Sequence, residues 1–326
     1  MDEEIGSVEK ASLTVLVDNK ADLIVESNET IKYFTEKPLL AEHGFSVLVQ
    51  IDDSEEKILW DAGVSKQTLL ENMKRMELDP KTLSIIALSH GHSDHFAGMT
   101  AILNEMNLLP KAKEWGESVS QEEIENLLTQ NQIPIVAHPG AFRERWWKKD
   151  DGTLKGPFGP PPGKEWEAAG AKIITSSEPY RLVDGCWTTG YIPRVSFEKS
   201  GRPKQLFYRN GSEFLPDDID EDQAIVINVK DKGLVVLSGC AHSGILNTIE
   251  HAKAFTNINK IYAVIGGFHL ARAKDEEIAK TIEHIKDENP TYVVPSHCSG
   301  FQAVSRFAQE LPDAFIEGVV GTTYVL

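Results

Sequence analysis

Cysteine is scarce in this chain: Cys186, Cys240 and Cys298 are the only three among 326 residues. Three thiols cannot build a disulfide framework, so a packed core has to hold the fold, and a reducing, cytoplasmic setting is the default expectation. Basic residues are also in short supply, 33 against 50 acidic ones, for a formal charge of −17. Nucleic-acid binding needs clustered Lys and Arg to meet phosphates, and this balance argues against it. A phosphorylated small molecule stays open as a substrate, because bound cations can supply local positive charge. No apolar run reaches the roughly 18 residues of a membrane span. The first ten residues are acidic and lack the basic start and apolar centre of an export signal. Also missing are G-x-G-x-x-G, a Walker loop, G-x-S-x-G and a Cys-x-x-Cys pair. Dinucleotide-binding, P-loop, serine-hydrolase and zinc-ribbon readings thereby lose their main support.

What is present reads as an α/β enzyme long enough to bury a sizeable core. Ala11–Val17 and Phe45–Ile51 have strand character, and Lys57–Trp60 pairs naturally with the latter. Leu69, Leu70, Met73 and Met76 share one face of a helix over 65–76. Leu83–Leu88 is a strand, followed by a helix from about Gly98 to Met106. A further helix near Gln121–Gln130 would bury Ile124, Leu127 and Leu128, before Ile133–Ala137 returns as a strand. Later, 224–229 and 233–237 form a hairpin around Asp231-Lys-Gly. Helix (244–256), strand (260–265), helix (274–286), strand (291–295) and a short helix then alternate. Two stretches break the pattern. Residues 139–165 are Pro/Gly-rich yet carry Trp146, Trp147 and Phe158; strands resume on both sides, so we expect an insertion covering the active site of a single domain, 1–326. Residues 195–222 end in the acidic run Asp217–Asp222, which reads as a solvated face without a role.

The chemistry concentrates in His90-x-His92-x-Asp94-His95. Four potential metal ligands fall within six residues, just after an apolar strand. His90 and His92, two apart, can reach one metal; Asp94 and His95, further round the turn, can reach a second. Imidazoles with one carboxylate suit zinc, and also manganese or iron. We therefore expect one or two divalent ions, zinc foremost.

That string is the signature of the metallo-β-lactamase superfamily, which this chain resembles through most of its length. Ile58-Leu-Trp-Asp61-Ala-Gly63 is similar to the family's first motif, an aspartate that supports the metal-site histidines. Thr291-Tyr-Val-Val-Pro-Ser-His297 matches the last motif, a histidine at a strand end. Gly233–Cys240 has the pattern of the fourth, where the family places a bridging aspartate or, in some lactamases, a cysteine. Glu42-His43-Gly44, Thr188–Arg194, Gly239–Thr248 and Gly266-Gly-Phe-His269-Leu270 resemble one branch, proteins similar to the archaeal dihydropterin–ribofuranosylaminobenzene-phosphate synthase. The resemblance implies an αββα sandwich and a site made of His90, His92, Asp94, His95 and His297, with Asp61 fixing an imidazole behind them. The third motif, a histidine after a glycine, is missing: Tyr191 stands there, where this branch more often carries an acidic residue.

Cys240 and His242, two apart, share a face if their strand continues, and either completes the metal site. We favour His242 as ligand and keep Cys240 as a bridge. His269 sits in a branch-specific string and points to substrate or metal contact. Arg194 is a candidate partner for a substrate phosphate, and Trp146 and Trp147 for an aromatic substrate, with Phe158 beside them. His43 and His138 are plausible cleft residues; His251 and His284 read as helix-face residues.

The expected activity is attack on an ester, lactone or phosphoester of a small molecule by a metal-activated water that Asp94 orients. In the synthase variant, the metals hold the diphosphate of a pterin methyl diphosphate while an aminobenzene ribofuranosyl phosphate attacks. The rival, a metal-binding sensor on a retired scaffold, draws on the missing third-motif histidine. A di-iron enzyme wants glutamate where His92 stands. Oligomeric state is not legible.

Overall fold

The computed structural model describes residues 4–51, 55–109, 120, 132–199, 201 and 203–326. The helix expected near Gln121–Gln130 lies outside the described residues. Within them, strands rich in apolar residues sort into two large sheets. In the first, neighbours run Ile31–Tyr33, Thr322–Val325, Ala11–Val17, Ser46–Ile51, Lys57–Trp60, Ile85–Ala87, Ile133–Ala137 and Ala171–Thr175. In the second they run Tyr180–Val183, Cys186–Thr188, Ala224–Val229, Gly233–Ser238, Ile261–Gly267 and Tyr292–Ser296.

Side-chain alternation explains the layers. Leu13, Val47, Val49, Ile58 and Trp60 of the first sheet pack against Ile225, Ile227, Val235, Leu237 and Ile265 of the second in one buried cluster. The intervening residues point the other way. Leu16, Leu48 and Leu59 meet the helices Thr68–Arg75, Met99–Met106 and Gly163–Ala168. Val226, Val236 and Val264 meet the helices Ile245–Thr256, Asp275–Glu288 and Phe301–Glu310. Burial on both faces is why these strands read as continuous apolar runs rather than alternating ones. The result is an αββα sandwich. Its final strand, Thr322–Val325, was not anticipated; it pairs antiparallel with Ala11–Val17 and Ile31–Tyr33. No helix among the described residues is long and apolar enough to cross a membrane.

The Pro/Gly-rich stretch departs from expectation. Arg145–Lys148 and Leu154–Phe158 form a hairpin, and Leu206–Asn210 and Glu213–Pro216, from the second irregular stretch, complete a small four-stranded antiparallel sheet. Residues 163–165 belong elsewhere: they begin the helix Gly163–Ala168, whose Trp166 is fully buried against the first sheet's outer face. The small sheet is thus built from two chain segments.

Candidate metal centre

Parallel strands from both sheets end at one rim, the usual place for ligands in α/β folds. Ile85–Ala87 runs parallel to Lys57–Trp60, and Gly233–Ser238, Ile261–Gly267 and Tyr292–Ser296 are mutually parallel. Beyond these ends lie Asp61, His90, Cys240, His242, His269 and His297. Asp94 and His95 sit in the short helix Ser93–Phe96 that follows His92. Asp61, Ala241, His269 and His297 adopt positive φ values of 59°, 54°, 49° and 47°. Non-glycine residues in this region are costly, and such strain persists where surrounding structure aims a side chain for a purpose.

The ligating atoms gather in two lobes. His90, His92 and His242 form one, and Asp94, His95 and His297 the other, the atoms of each group lying within 4.8 Å of one another. Cys240 touches both: its Sγ groups with His90 and His95, with His297 and Cys298, and with His242 and His269. It lies 3.2 Å from His95 Nε2. His242 thus joins His90 and His92 from a different strand end. Tyr191 stays out, 44% exposed, with its backbone N–H donating to Ser177.

Behind the lobes, hydrogen bonds set the tautomers. Asp61 Oδ2 accepts from His95 Nδ1 at 2.7 Å and from the Ser89 hydroxyl at 2.7 Å, and Oδ1 accepts from the Ser89 N–H at 2.8 Å. With its proton committed to Asp61, the Ser89 hydroxyl accepts from His90 Nδ1 at 2.9 Å. His242 Nδ1 donates to the Gly201 carbonyl at 3.0 Å. In each case Nε2 is left facing the cluster. Gly239 is required here, since a Cβ would stand 2.3 Å from Ser89 Oγ.

The chain fits a bound cation. Nε2 of His90 and of His242 are buried with no hydrogen-bond partner, a cost that native interiors rarely accept without a reason. Burial drives both rings well below the usual histidine range, and it takes His92 to about 3, so all three are neutral donors. For Asp94 burial works upward, but His95, His297 and His92 outweigh it and hold the carboxyl far below its ordinary value. Burial works against a proton on His95, yet Asp61 and Asp94 prevail and raise it to about 9. Cation binding would release that proton.

The lobes floor a cavity of about 780 Å³, whose walls include His43, Trp147, Lys204, Arg272 and Cys298. His43 Nε2 stands 3.5 Å from Asp94 Oδ2, and its ring stacks on His297. A hollow of similar size, about 760 Å³, beside Lys66, Glu71 and Glu105 shows no such convergence of ligating groups.

The matching sequence profile is that of the metallo-beta-lactamase superfamily, over residues 40–250. This chain belongs to that superfamily. Among its relatives is the 7,8-dihydropterin-6-methyl-4-(beta-D-ribofuranosyl)-aminobenzene-5'-phosphate synthase of Methanocaldococcus jannaschii, 31% identical over 283 residues, 85% of this chain and 88% of the relative. A crystal structure described as a metal-dependent hydrolase of the beta-lactamase superfamily aligns with TM-score 0.69 and 22% identity, covering 96% of this chain and 98% of that one. A metallo-beta-lactamase fold protein from Bacillus subtilis aligns with TM-score 0.53 and 12% identity over 97% of this chain and all of the other.

Other residues singled out in the sequence scatter. Trp147 lines the cavity, but Trp146 is buried on the opposite face of its strand, edge-on to Phe214. Adjacent strand residues point to opposite sides, so the two tryptophans cannot share a ligand. Arg194 is not on the cavity wall; its guanidinium donates to the carbonyls of Asp218 and Ile219. His138 caps the turn Pro139–Phe142, accepting from Gly140 N–H at 3.1 Å. His251 donates to the Thr189 carbonyl, and His284 to that of Lys280. Ser89 and Lys204 are not legible in the sequence, since a serine and an exposed lysine carry no spacing signal; Cys298, which follows His297 in the last motif, does line the cavity.

The acidic run is the largest correction. Asp217, Glu221 and Asp222 are buried at 2%, 0% and 1% exposure rather than solvated. Arg145 explains it, pairing with Asp217 at 2.8 Å and with Glu221.

Proposed function

We propose that this protein is an enzyme that holds two divalent ions, zinc foremost, and acts on an ester, lactone or phosphoester bond of a small organic substrate. The observation that carries this reading is the pair of orphaned Nε2 atoms, His90 and His242, turned into a cluster that also contains His92, Asp94, His95, His297 and Cys240. The sulfur among the imidazoles favours zinc over manganese. Bound there, divalent ions supply Lewis acidity, lowering the pKa of a water and neutralising charge on a departing oxygen.

The chain's own residues do the rest. Asp94 Oδ2, held ionised by His95 and His297, orients the attacking group and accepts its hydrogen bond. Asp61 fixes His95, and through Ser89 also His90, so neither imidazole has to reorganise during reaction. Trp147 presents an aromatic face to the organic part of the substrate. Lys204 and Arg272, the cations on the wall, take over the phosphate-pairing role that sequence reasoning gave to Arg194.

A second reading, group transfer of the synthase kind, is favoured by the 31% identity that extends over most of both chains. In it, Lys204 and Arg272 pair with a diphosphate leaving group that bound divalent ions would help neutralise. The aromatic acceptor displaces it at the methylene carbon, the C–O bond breaking as the new bond forms. One panel separates the two. Metal-loaded protein is assayed with a phosphodiester, a phosphomonoester and a lactone, then with a pterin methyl diphosphate plus an aminobenzene ribofuranosyl phosphate. Turnover of a member of the first group supports hydrolysis, and condensation in the second supports transfer. No turnover of either by protein carrying both metals counts against an enzyme of this kind.

A further inference from the structure

The segment from Asp217 to Gln223 threads between the small sheet and the metal rim, and Glu221, Asp222 and Gln223 each place a polar group against the backbone that carries one lobe. Gln223 accounts for His90: its N–H donates to the Ser89 carbonyl at 3.1 Å, and its Nε2 to the Leu88 carbonyl at 2.8 Å. Glu221 accounts for His92. Its Oε1 pairs with Arg145 and lies 3.5 Å from the Gly91 N–H, directly between the two histidines. Gly91 itself is pressed onto Arg145: a Cβ there would stand 2.7 Å from Nη1 and 2.1 Å from the Ala141 carbonyl. Asp222 accounts for His242, its Oδ2 accepting from the Ser243 N–H at 2.8 Å. Asp217 closes the frame through Arg145 Nε at 2.8 Å.

The other lobe hangs elsewhere. Asp18 Oδ1 accepts from the His297 N–H at 3.0 Å, and Asn19 Nδ2 donates to the His297 carbonyl at 2.6 Å. The Asp94 and His95 carbonyls accept from Phe45 and Ala62 N–H groups at 3.2 and 2.6 Å. Among the described residues, no hydrogen bond from 217–223 reaches Asp94, His95 or His297. Asp61 is the support common to both.

We propose that Glu221, Asp222 and Gln223, with Arg145, are positioning residues for the His90–His92–His242 lobe alone, and Asp18 and Asn19 for the His297 lobe, so that the chain sets the affinities of its two metal positions separately. This rests on the two-lobed metal reading above. These residues hold the backbone that carries the ligands; outer partners of a metal site commonly govern affinity by about 10–100-fold. Substitutions that share no partner act independently, although the lobes themselves share Asp61 and Cys240.

The test is a zinc titration of the demetallated full chain against a chromophoric chelator, which resolves each equivalent. Asp222→Asn and Glu221→Gln should each weaken one equivalent by about 10–100-fold and leave the other within about twofold. Adding His92→Ala to either should cost no further equivalent; adding His297→Ala should remove the second. Asp18→Asn should show the reverse pairing. Circular dichroism of the metal-free variants checks the fold, and Gln223→Ala decides the matter should a charge variant fail to fold. Equal weakening of both equivalents, or of neither, overturns the inference. Wild-type protein that binds no zinc overturns the metal reading beneath it, an outcome visible before any variant is made.

Discussion

Asp61 shows how much one residue can carry. It stands at the end of the strand Lys57–Trp60, at positive φ, and its carboxylate reaches His95 directly and His90 through Ser89. Asparagine tolerates the same backbone conformation, so Asp61→Asn isolates the carboxylate. It should fold normally and lose about 10–100-fold in affinity at both metal positions, read by chelator competition. Unchanged affinity would remove Asp61 from the site. The tryptophans make the second residue-scale case. Trp147→Ala should weaken substrate binding about tenfold, the worth of one aromatic contact, with the melting temperature nearly intact. Trp146→Ala should instead cost about 3 kcal/mol of stability and spare affinity. A swap of those two outcomes would contradict the orientation of the strand. Sequence spacing located His90, His92, Asp94 and His95 because all four lie in one local turn. It could not weigh Cys240 against His242, because the hydrogen bond from His242 Nδ1 to the Gly201 carbonyl joins residues distant in sequence.

At the scale of elements, what could be read was periodic and what could not was paired across distance. Helices such as Thr68–Arg75 and Asp275–Glu288 announce themselves by apolar spacing, and their ends fall within a few residues of expectation. The strand Arg145–Lys148 has no such pattern; besides its hairpin mate Leu154–Phe158, it pairs with Leu206–Asn210, some sixty residues on. The acidic run looked solvated because its counter-ion, Arg145, is equally distant in sequence. Glu198 is a partly buried acid without a counter-ion among the described residues. It accepts N–H bonds from Leu246 at 3.0 Å and Asn247 at 3.4 Å at the start of the helix Ile245–Thr256. Burial pushes its carboxyl up from 4.5 to about 7, against the pull of those bonds. The folded state therefore holds a proton that the unfolded chain has released, so stability falls as pH rises from about 4.5 through 7. Glu198→Gln should remove that slope. Relative to wild type it should gain roughly 2–3 kcal/mol between pH 4.5 and pH 8, measured by denaturant unfolding at each pH. Parallel curves for the two proteins would show that Glu198 does not titrate in this window.

At the scale of the whole molecule, a chain with a formal charge of −17 concentrates cation-binding groups at one rim and sets two of its scarce cations, Lys204 and Arg272, on the wall above them. The αββα layering was legible from continuous apolar strands and amphipathic helices, since sheets buried on both faces leave that pattern. The small sheet was not, because it is assembled from two segments that each look like loop. The chemistry of this rim depends on one thing, that it binds metal. Purified without chelator, the protein should carry two equivalents of a divalent transition metal by plasma emission spectrometry, with zinc predominant. The His92→Ala, His95→Ala double variant should carry almost none while keeping its circular dichroism spectrum. Folded wild-type protein that is metal-free and takes up neither Zn²⁺, Mn²⁺ nor Fe²⁺ on reconstitution would contradict the account at its centre.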